Sequence, residues 1–480
     1  MIFRSNFHQD LLFFENPTVN SIIQFIYNNI YVFRKLEMSD RSNWGSKLGF
    51  ILAATGSAVG LGAIWKFPYM VGANGGSAFL LPFILMVFTM GVVLILAEFI
   101  IGRAGRGSVV TSFKRIAGPL WAPLGFIGVF CAFLIMTYYS NVGGWCLTYL
   151  FESVMGKAAS TDLALLEKTF TDTVSTPLSA IIYQTLFLAI TAGILIFGVN
   201  KGIERISKIL MPLLFVLMII LIVKGLTLPG ATEGLKFLFA PRWDQVTANS
   251  LLNAMGFTFF SLSLGMGIMI TYGSYISHKE DLPSSAIWVA FLALVSALLA
   301  GLMVIPPVLA FGLNPSAGPG LTFITMPAVF ANFPFPNFFA FCFYGCLFVA
   351  ALTSMISLFE VPLAYLMDEW HLKRKSAAIL LFVSLTICSI PCALAMGPWS
   401  DIKIFGKNFF DFADFVACNI LMPVSALFVI AITGWFFFDK SKYEVNLTKE
   451  RNETWMKVFR FLLAFVAPCF IAVIAVFNLM

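Results

Sequence analysis

Charged residues are scarce in this chain, and their scarcity excludes most soluble folds. Of its 480 residues, 11% are Asp, Glu, Lys or Arg, less than half the share of about 25% in soluble proteins. The mean hydropathy is +0.90, and apolar runs such as 79–97 and 181–199 reach the roughly 20 residues with which a helix crosses a bilayer. The sequence therefore predicts an all-α polytopic membrane protein.

Histidine is also scarce, with three residues in the chain. His8, His278 and His371 form no metal-ligand or nucleophile pattern with the acids inside the spans, so we expect neither an enzyme nor an organic cofactor. The net charge of +6 is spread over short loops without a basic arm, which argues against a nucleic-acid partner. The lipid bilayer is the partner that the composition requires, and the oligomeric state stays open.

Long apolar segments divide the chain into predicted spans and loops. We expect eleven spans, at 46–70, 77–103, 118–151, 178–198, 202–226, 246–276, 284–313, 337–370, 375–396, 408–437 and 456–479. Most lysines and arginines fall in the loops on one side, and the loops on the other side hold Lys157, Lys168, Lys236, Arg242, Lys403 and Lys407. Because positively charged loops stay inside, we predict a cytoplasmic amino terminus and an external carboxyl terminus in the cell (inner) membrane.

The first 37 residues differ in character from the remainder. They lack the basic start, apolar run and small-residue cleavage site of a signal peptide. The run from Met38, "MSDRSNWGSKLGF", is typical of a natural amino terminus before a first helix. We expect residues 1–37 to be an extension, either from a start codon placed too early or as a flexible cytoplasmic segment. Residues 38–480 are then a single transmembrane domain.

Two predicted spans contain residues that disfavour a continuous helix. The first includes "TGSAVGLGAIWKFP" at 55–68, and the sixth includes "FTFFSLSLGMGIM" at 257–269. Unwound backbone in a membrane is tolerated only where protein or a water-filled cavity satisfies it, and its freed carbonyls and amides can hold a cation and an anion. A close helix crossing through small residues is the alternative for either break alone.

The two breaks lie five spans apart. Because five is odd, a second five-helix unit would enter the membrane inverted, and paired breaks in two halves point to a transporter with a site at mid-membrane. Repeat one would cover about 46–226 and repeat two about 246–437, with a final helix at about 456–479.

Six segments resemble signatures of the neurotransmitter:sodium symporter family, especially its bacterial amino-acid transporters. They are "GSAVGLGAIWKFPYMVGANGGSAFLLPF", "YYSNVGGW", "GVNKGIERISK", "SLSLGMGIMITYGSYI", "ALTS" and "DFADF". The resemblance runs from about Arg41 to the end of the chain. It implies the leucine-transporter-type fold, with two inverted five-helix repeats and broken helices 1 and 6, and sodium-driven symport by alternating access.

By position, the resemblance implies an amino-acid site between the two breaks. The substrate carboxylate would lie near Leu61, Gly62 and Tyr139, and the amine near carbonyls of the same site. Gly60 stands where the family's monoamine transporters have Asp, so it leaves room for a carboxylate. The whole implied set is Ala58, Gly60, Leu61, Gly62, Ile135, Tyr139, Phe260, Ser261, Ser263, Met266, Ser354 and Leu358. Because these side chains are uncharged, we expect a neutral and hydrophobic amino acid.

The resemblance also implies ion sites. One sodium site is complete in the sequence, with carbonyls of Gly56, Val59 and Ala350 and hydroxyls of Thr353 and Ser354, and neutral oxygens suit a hard cation. A second sodium site and a chloride site of the family have apolar residues at their ligand positions, namely Ala63, Ala293, Phe83, Phe257 and Ala297. We therefore expect one sodium ion per cycle and no chloride dependence.

Two gates follow from the same resemblance. The outer gate would pair Lys66 with Asp414, more loosely than the family's arginine because lysine lacks the bidentate fork. The inner gate would pair Arg41 with Asp368, supported by Trp44, Ser274 and Tyr275.

Some alternatives stay open at this point. Glu98 is a carboxylate inside the second span, where ionisable residues are costly and functional by default, and it serves either a structural hydrogen bond or proton coupling. A channel is a rival class because broken helices also line selectivity filters, although no fourfold pore repeat is present. A transport-inactive receptor or sensor would share the same fold.

Overall fold

The part of the chain that the structure, a computed structural model, describes comprises residues 43–316, 318 and 320–479, without the side chains of 478 and 479. The predicted extension at 1–37, the start at Met38 and the gate residue Arg41 lie outside it. Within the described ranges all regular elements are helices.

Nine helices of the described residues are long and apolar enough to cross a membrane. They are Ser77–Gly105, Pro119–Val154, Pro177–Ile196, Val199–Leu226, Leu282–Ala310, Pro336–Glu369, Arg374–Leu394, Phe409–Phe436 and Glu453–Phe477. The bent pair Lys47–Ala58 and Gly62–Ala73 precedes them as the first span. The pair Ala248–Ser261 and Ile268–Gly273 supplies the sixth. The predicted order of spans, including both breaks, is confirmed.

Five shorter helices were not predicted. They are Val109–Ala117, Leu163–Ser175, Ala231–Phe239, Leu321–Ala331 and Phe438–Asn446. Local capping helps to start one of them, because the Asp162 carboxylate accepts from the amides of Ala164 at 3.0 Å and Leu165 at 3.2 Å, as N-cap residues do. These helices are too short to span a membrane, so a search for apolar segments passes over them.

The first span bends by 48° at its break. Its first helix, Lys47–Ala58, ends at the break, and helical structure resumes at Gly62. Between them the Leu61 amide leaves the helical ladder and donates to the Tyr139 hydroxyl at 3.2 Å. The freed backbone group therefore finds a side-chain partner, as a membrane interior requires.

The sixth span unwinds between Ser261 and Ile268. Three residues of the break, Ser263, Gly265 and Gly267, have φ values of 55°, 75° and 74°, in the left-handed region that favours glycine. A Cβ at Gly265 would also lie 2.4 Å from the Met422 carbonyl oxygen. The glycines therefore permit both the turn of the backbone and its close approach to the tenth span.

The eighth span, Pro336–Glu369, is the most enclosed of these helices. Of its most apolar stretch, 83% is buried, against at most 56% in the other eight single-helix spans. It packs against the third span and against Lys47–Ala58 of the first. The eighth span therefore forms a buried wall beside the first helix of the broken first span.

Candidate functional site

A cavity lies between the two breaks and the third and eighth spans. Its lining is Ser57, Ala58, Gly60, Gly62, Ile135, Tyr139, Phe260, Ser261, Ser263, Met266, Ile268, Ser354 and Leu358. The structure thus brings together every residue of the implied substrate set except Leu61, whose amide donates to the Tyr139 hydroxyl instead. Their role in binding stays a prediction.

The lining divides into an apolar and a hydroxyl part. Ile135, Met266, Ile268 and Leu358 supply aliphatic surface, and the serines supply hydroxyls. Acidic and basic side chains are absent from this lining. Because a buried charge needs a partner, the cavity suits a ligand whose side chain is uncharged.

Gly60 lies in unusually close contact with the opposite wall. A Cβ at this position would be 2.0 Å from the Ser354 hydroxyl oxygen and 3.0 Å from that of Tyr139. The space beside Gly60 is therefore bounded by two hydroxyl groups, and any side chain here would displace them.

The residues of the implied sodium site connect the first and eighth spans. The Ser354 hydroxyl donates to the Gly56 carbonyl at 3.4 Å, and the Thr353 hydroxyl donates to the Ala350 carbonyl at 3.1 Å. Gly56 packs on Thr353, since a Cβ would come 3.2 Å from the threonine Cβ. Val59 is fully buried at the end of the same helix. Such buried neutral oxygens fit a small hard cation, and this role stays a prediction.

Apolar side chains occupy the positions of the family's other ion ligands. Phe83 and Phe257 form a buried cluster with Phe67 and Phe79, with ring centroids 5.2–6.2 Å apart. Ala63, Ala293 and Ala297 are buried as well. Ser261 directs its hydroxyl to the Thr258 carbonyl of its own helix at 3.3 Å. This region presents rings and methyl groups rather than a set of ligands.

The outer-gate residues are neighbours without a direct ion pair. The Lys66 ammonium lies 4.8 Å from the centroid of the Phe260 ring, in cation–π geometry. Asp414 instead accepts from the Cys418 thiol at 3.3 Å. Lys66 therefore lies against Phe260, an aromatic residue of the cavity lining, and the gate role of Lys66 and Asp414 stays a prediction.

An aromatic cluster that the sequence analysis missed lies near the outer gate. Phe323, on the short helix between the seventh and eighth spans, is buried among rings of Trp65, Trp145, Tyr149, Phe170 and Tyr344 at centroid distances of 5.1–6.5 Å. No local motif marks it, because its members come from five different elements.

An ion pair that the sequence analysis also missed lies beside Tyr275, one of the predicted inner-gate residues. Arg374 donates to both carboxylate oxygens of the buried Glu360, and the Tyr275 hydroxyl donates to the same carboxylate at 2.7 Å. Trp44 donates through its indole to the Tyr272 carbonyl at 3.1 Å.

The predicted inner-gate residues are thus only partly gathered. Asp368 accepts from the Ser108 amide, and the Ser274 hydroxyl donates to the Thr271 carbonyl at 2.6 Å. Tyr275 binds Glu360, and Arg41, the predicted partner of Asp368, lies outside the described residues.

Glu98 contacts the break of the sixth span directly. One carboxylate oxygen accepts from the Gly265 amide at 2.7 Å, and the side chain is buried. The structural hydrogen bond is therefore present, and proton coupling stays an open alternative.

Comparison with known proteins places these features in a family. A model described as "Sodium:neurotransmitter symporter family" matches residues 41–164 and 163–480. An uncharacterized sodium-dependent transporter of Bacillus subtilis, YhdH, is 39% identical over 90% of this chain and 96% of its own length. Another uncharacterized sodium-dependent transporter, from Haemophilus influenzae, is 36% identical over 92% and 98%.

One solved structure shares both sequence and shape with the chain. It is the crystal structure of MhsT in complex with L-phenylalanine, with a TM-score of 0.84 and 41% identity. The match covers 91% of this chain and 99% of that one.

Proposed function

The chain belongs to the sodium:neurotransmitter symporter family, and from this premise we propose that it carries a neutral, hydrophobic amino acid into the cell together with one sodium ion and without chloride. It is a multi-pass membrane protein, as its spans and family indicate. We place it in the cell (inner) membrane with a cytoplasmic amino terminus, on the distribution of positive charge among its loops.

The observation that supports the amino-acid substrate is the uncharged cavity between the two breaks. Amide groups at the start of a half-helix attract a carboxylate, and Gly62 begins such a half-helix at the cavity wall. The bound L-phenylalanine of the related MhsT structure favours a substrate of this class. Met266 and Ile135 supply aliphatic surface against which such a side chain would pack, and methionine adapts to different shapes.

The ion stoichiometry is argued from two neighbouring regions. The Gly56 carbonyl and the Ser354 hydroxyl meet between the first and eighth spans, and Thr353 packs against Gly56 there. Neutral oxygens of these residues suit one sodium ion. The phenylalanine cluster around Phe83 and Phe257 offers no ligand for a second cation or an anion. A desolvated ion there would lack compensation.

Uptake by purified protein in proteoliposomes tests this function. Neutral amino acids are offered one at a time, with sodium and chloride varied independently. We expect concentrative uptake that a sodium ionophore abolishes, a sodium Hill coefficient near one, and equal rates in chloride and gluconate. A Hill coefficient near two or a chloride requirement would contradict the stoichiometry. Binding without uptake or counterflow would indicate a receptor instead.

A further inference from the structure

Four buried serine hydroxyls connect the two breaks with the eighth span at one side of the cavity. Ser57 lies in the first span, Ser263 in the break of the sixth, and Ser354 and Ser357 in the eighth. Their exposed fractions are 4%, 5%, 6% and 0%. The family resemblance gives roles to Ser263 and Ser354, and leaves Ser57 and Ser357 without any.

Ser57 is the centre of this network. Its hydroxyl donates to the Ser263 hydroxyl at 3.1 Å and accepts from the Ser357 hydroxyl at 2.7 Å. Its carbonyl accepts from Ser354 at 2.9 Å and from Ser263 at 3.2 Å. One residue therefore connects a predicted sodium ligand, Ser354, with a predicted substrate contact, Ser263.

These bonds are not the usual behaviour of serine in a helix. A serine hydroxyl in a helix often returns to the carbonyl three or four residues earlier. Here Ser57 bonds to partners 206, 297 and 300 residues away in the chain. The network therefore depends on the relative positions of the first, sixth and eighth spans, which are the elements that surround the cavity.

We propose that Ser57, supported by Ser357, is a positioning residue through which sodium binding raises the affinity for the amino acid. This inference rests on the function proposed above. A cation bound to the Ser354 oxygen occupies its lone pairs, so that this hydroxyl can act only as a donor, and its acceptor is the Ser57 carbonyl.

The direction of the remaining bonds then follows. Ser263 also donates to the Ser57 carbonyl and accepts from the Ser57 hydroxyl, which holds the Ser263 hydroxyl in place and leaves one lone pair of its oxygen for a further donor. An amino-acid ammonium group is such a donor, and hydrogen bonds in a buried network reinforce one another. Sodium thus favours the arrangement of hydrogens in which Ser263 accepts from the substrate.

The test measures the cooperativity between sodium binding and amino-acid binding. Binding of radiolabelled L-phenylalanine and L-leucine is measured for Ser57→Ala at low and saturating sodium. The ratio of the two dissociation constants is the coupling factor, and the effect is reciprocal by linkage. We expect this factor to fall about three- to tenfold, the worth of one net hydrogen bond, while binding at low sodium changes less than twofold.

Two further variants sharpen the result. Ser357→Ala removes the support of the Ser57 hydroxyl, and we expect a loss in the same direction. Because both act through one network, the double variant should lose no more than Ser57→Ala alone. Ser296→Ala is the matched control, since this buried serine of the seventh span donates only to the Leu292 carbonyl of its own helix at 2.8 Å.

Different results would contradict this inference and the proposed function. Equal weakening of Ser57→Ala at low and saturating sodium would show that Ser57 merely lines the cavity and would overturn this inference. An unchanged coupling factor in both Ser57→Ala and Ser357→Ala would do the same. If amino-acid binding to the wild-type protein did not depend on sodium, the proposed function would be overturned, and this inference with it.

Discussion

At the scale of single residues, Gly60 shows how closely the backbone approaches its surroundings. Its Cα faces the hydroxyls of Ser354 and Tyr139, and a Cβ would overlap the first of them at 2.0 Å. Both hydroxyls belong to the predicted substrate set. If these residues bind the substrate as proposed, a change at residue 60 acts on binding through its neighbours as well as through the volume that it occupies.

Gly60→Ala tests this approach. We expect the KM for the best neutral amino acid to rise about tenfold or more, because displacement of binding groups by about 1 Å is costly. Radiotracer uptake in proteoliposomes measures it. Gly193→Ala in the fourth span is the control, since a Cβ there meets no atom within 4 Å. Equal KM values for the two variants would contradict the argument.

Thr353→Val tests the implied sodium site. The substitution keeps the shape of the side chain and removes one cation ligand, so sodium affinity should fall roughly ten- to hundredfold, the worth of about 1.5–3 kcal/mol for a bond to a charged group. The sodium concentration at half-maximal uptake measures it. Thr191→Val is the control, since this buried hydroxyl serves only its own helix at Phe187. Unchanged sodium dependence in Thr353→Val would show that Thr353 is not a sodium ligand.

Sequence motifs anticipate some residues of the site and miss others. The family signatures point to Gly60, Ser263 and Ser354, which the structure gathers around one cavity. They do not point to Ser57 or Glu360. The partners of these two lie far away in the chain or on another span, and only the folded arrangement of spans brings such pairs together.

At the scale of elements, the break of the sixth span is held by a carboxylate from the second. Glu98 accepts from the Gly265 amide at 2.7 Å, in a segment where Gly265 has φ of 75°. A buried amide without a partner is costly. Glu98 therefore stabilises the unwound segment that lines the cavity.

Glu98→Gln and Glu98→Ala separate the two roles left open for this residue. The amide oxygen of glutamine still accepts from Gly265, so uptake should stay within about threefold of wild type if the role is structural. Alanine leaves the Gly265 amide unpaired and should destabilise the protein by about 1–3 kcal/mol, measured by thermal unfolding in detergent. Loss of uptake in a stable Glu98→Gln variant would favour proton coupling instead.

Long apolar runs, glycine clusters and loop charges are enough to predict the spans and both breaks from the sequence. These patterns do not predict the short helices such as Leu163–Ser175 and Val109–Ala117. Their lengths fall below a membrane span, and tertiary packing contributes most of the stability of such short helices.

At the scale of the whole molecule, Glu360 and Arg374 join the eighth span to the ninth. The carboxylate is fully buried, and it receives Tyr275 from the end of the sixth span as well. Three elements therefore converge on one charge. Arg374 also donates to the Leu195 carbonyl at 2.6 Å, which adds the fourth span.

Arg374→Met should lower the free energy of unfolding by about 3–5 kcal/mol, because it leaves the Glu360 charge buried without its partner. The double variant Glu360→Met, Arg374→Met should recover most of that loss, because apolar side chains replace a buried ion pair with little net cost. Thermal unfolding in detergent compares the variants. A double variant no more stable than Arg374→Met would show that the pair does not act as a unit.

Phe83 and Phe257, which stand at ligand positions of the family's other ions, would limit each cycle to the electrochemical work of the one sodium ion proposed. With one sodium ion per amino acid, as proposed, a cycle draws on about 2.3 kcal/mol per 100 mV of membrane potential and about 1.4 kcal/mol from a tenfold sodium gradient. A neutral substrate can then be accumulated about 500-fold, whereas two ions would allow about 10⁵-fold. A transporter with this stoichiometry takes up less sodium for each amino acid. It suits surroundings in which the amino acid is seldom very dilute.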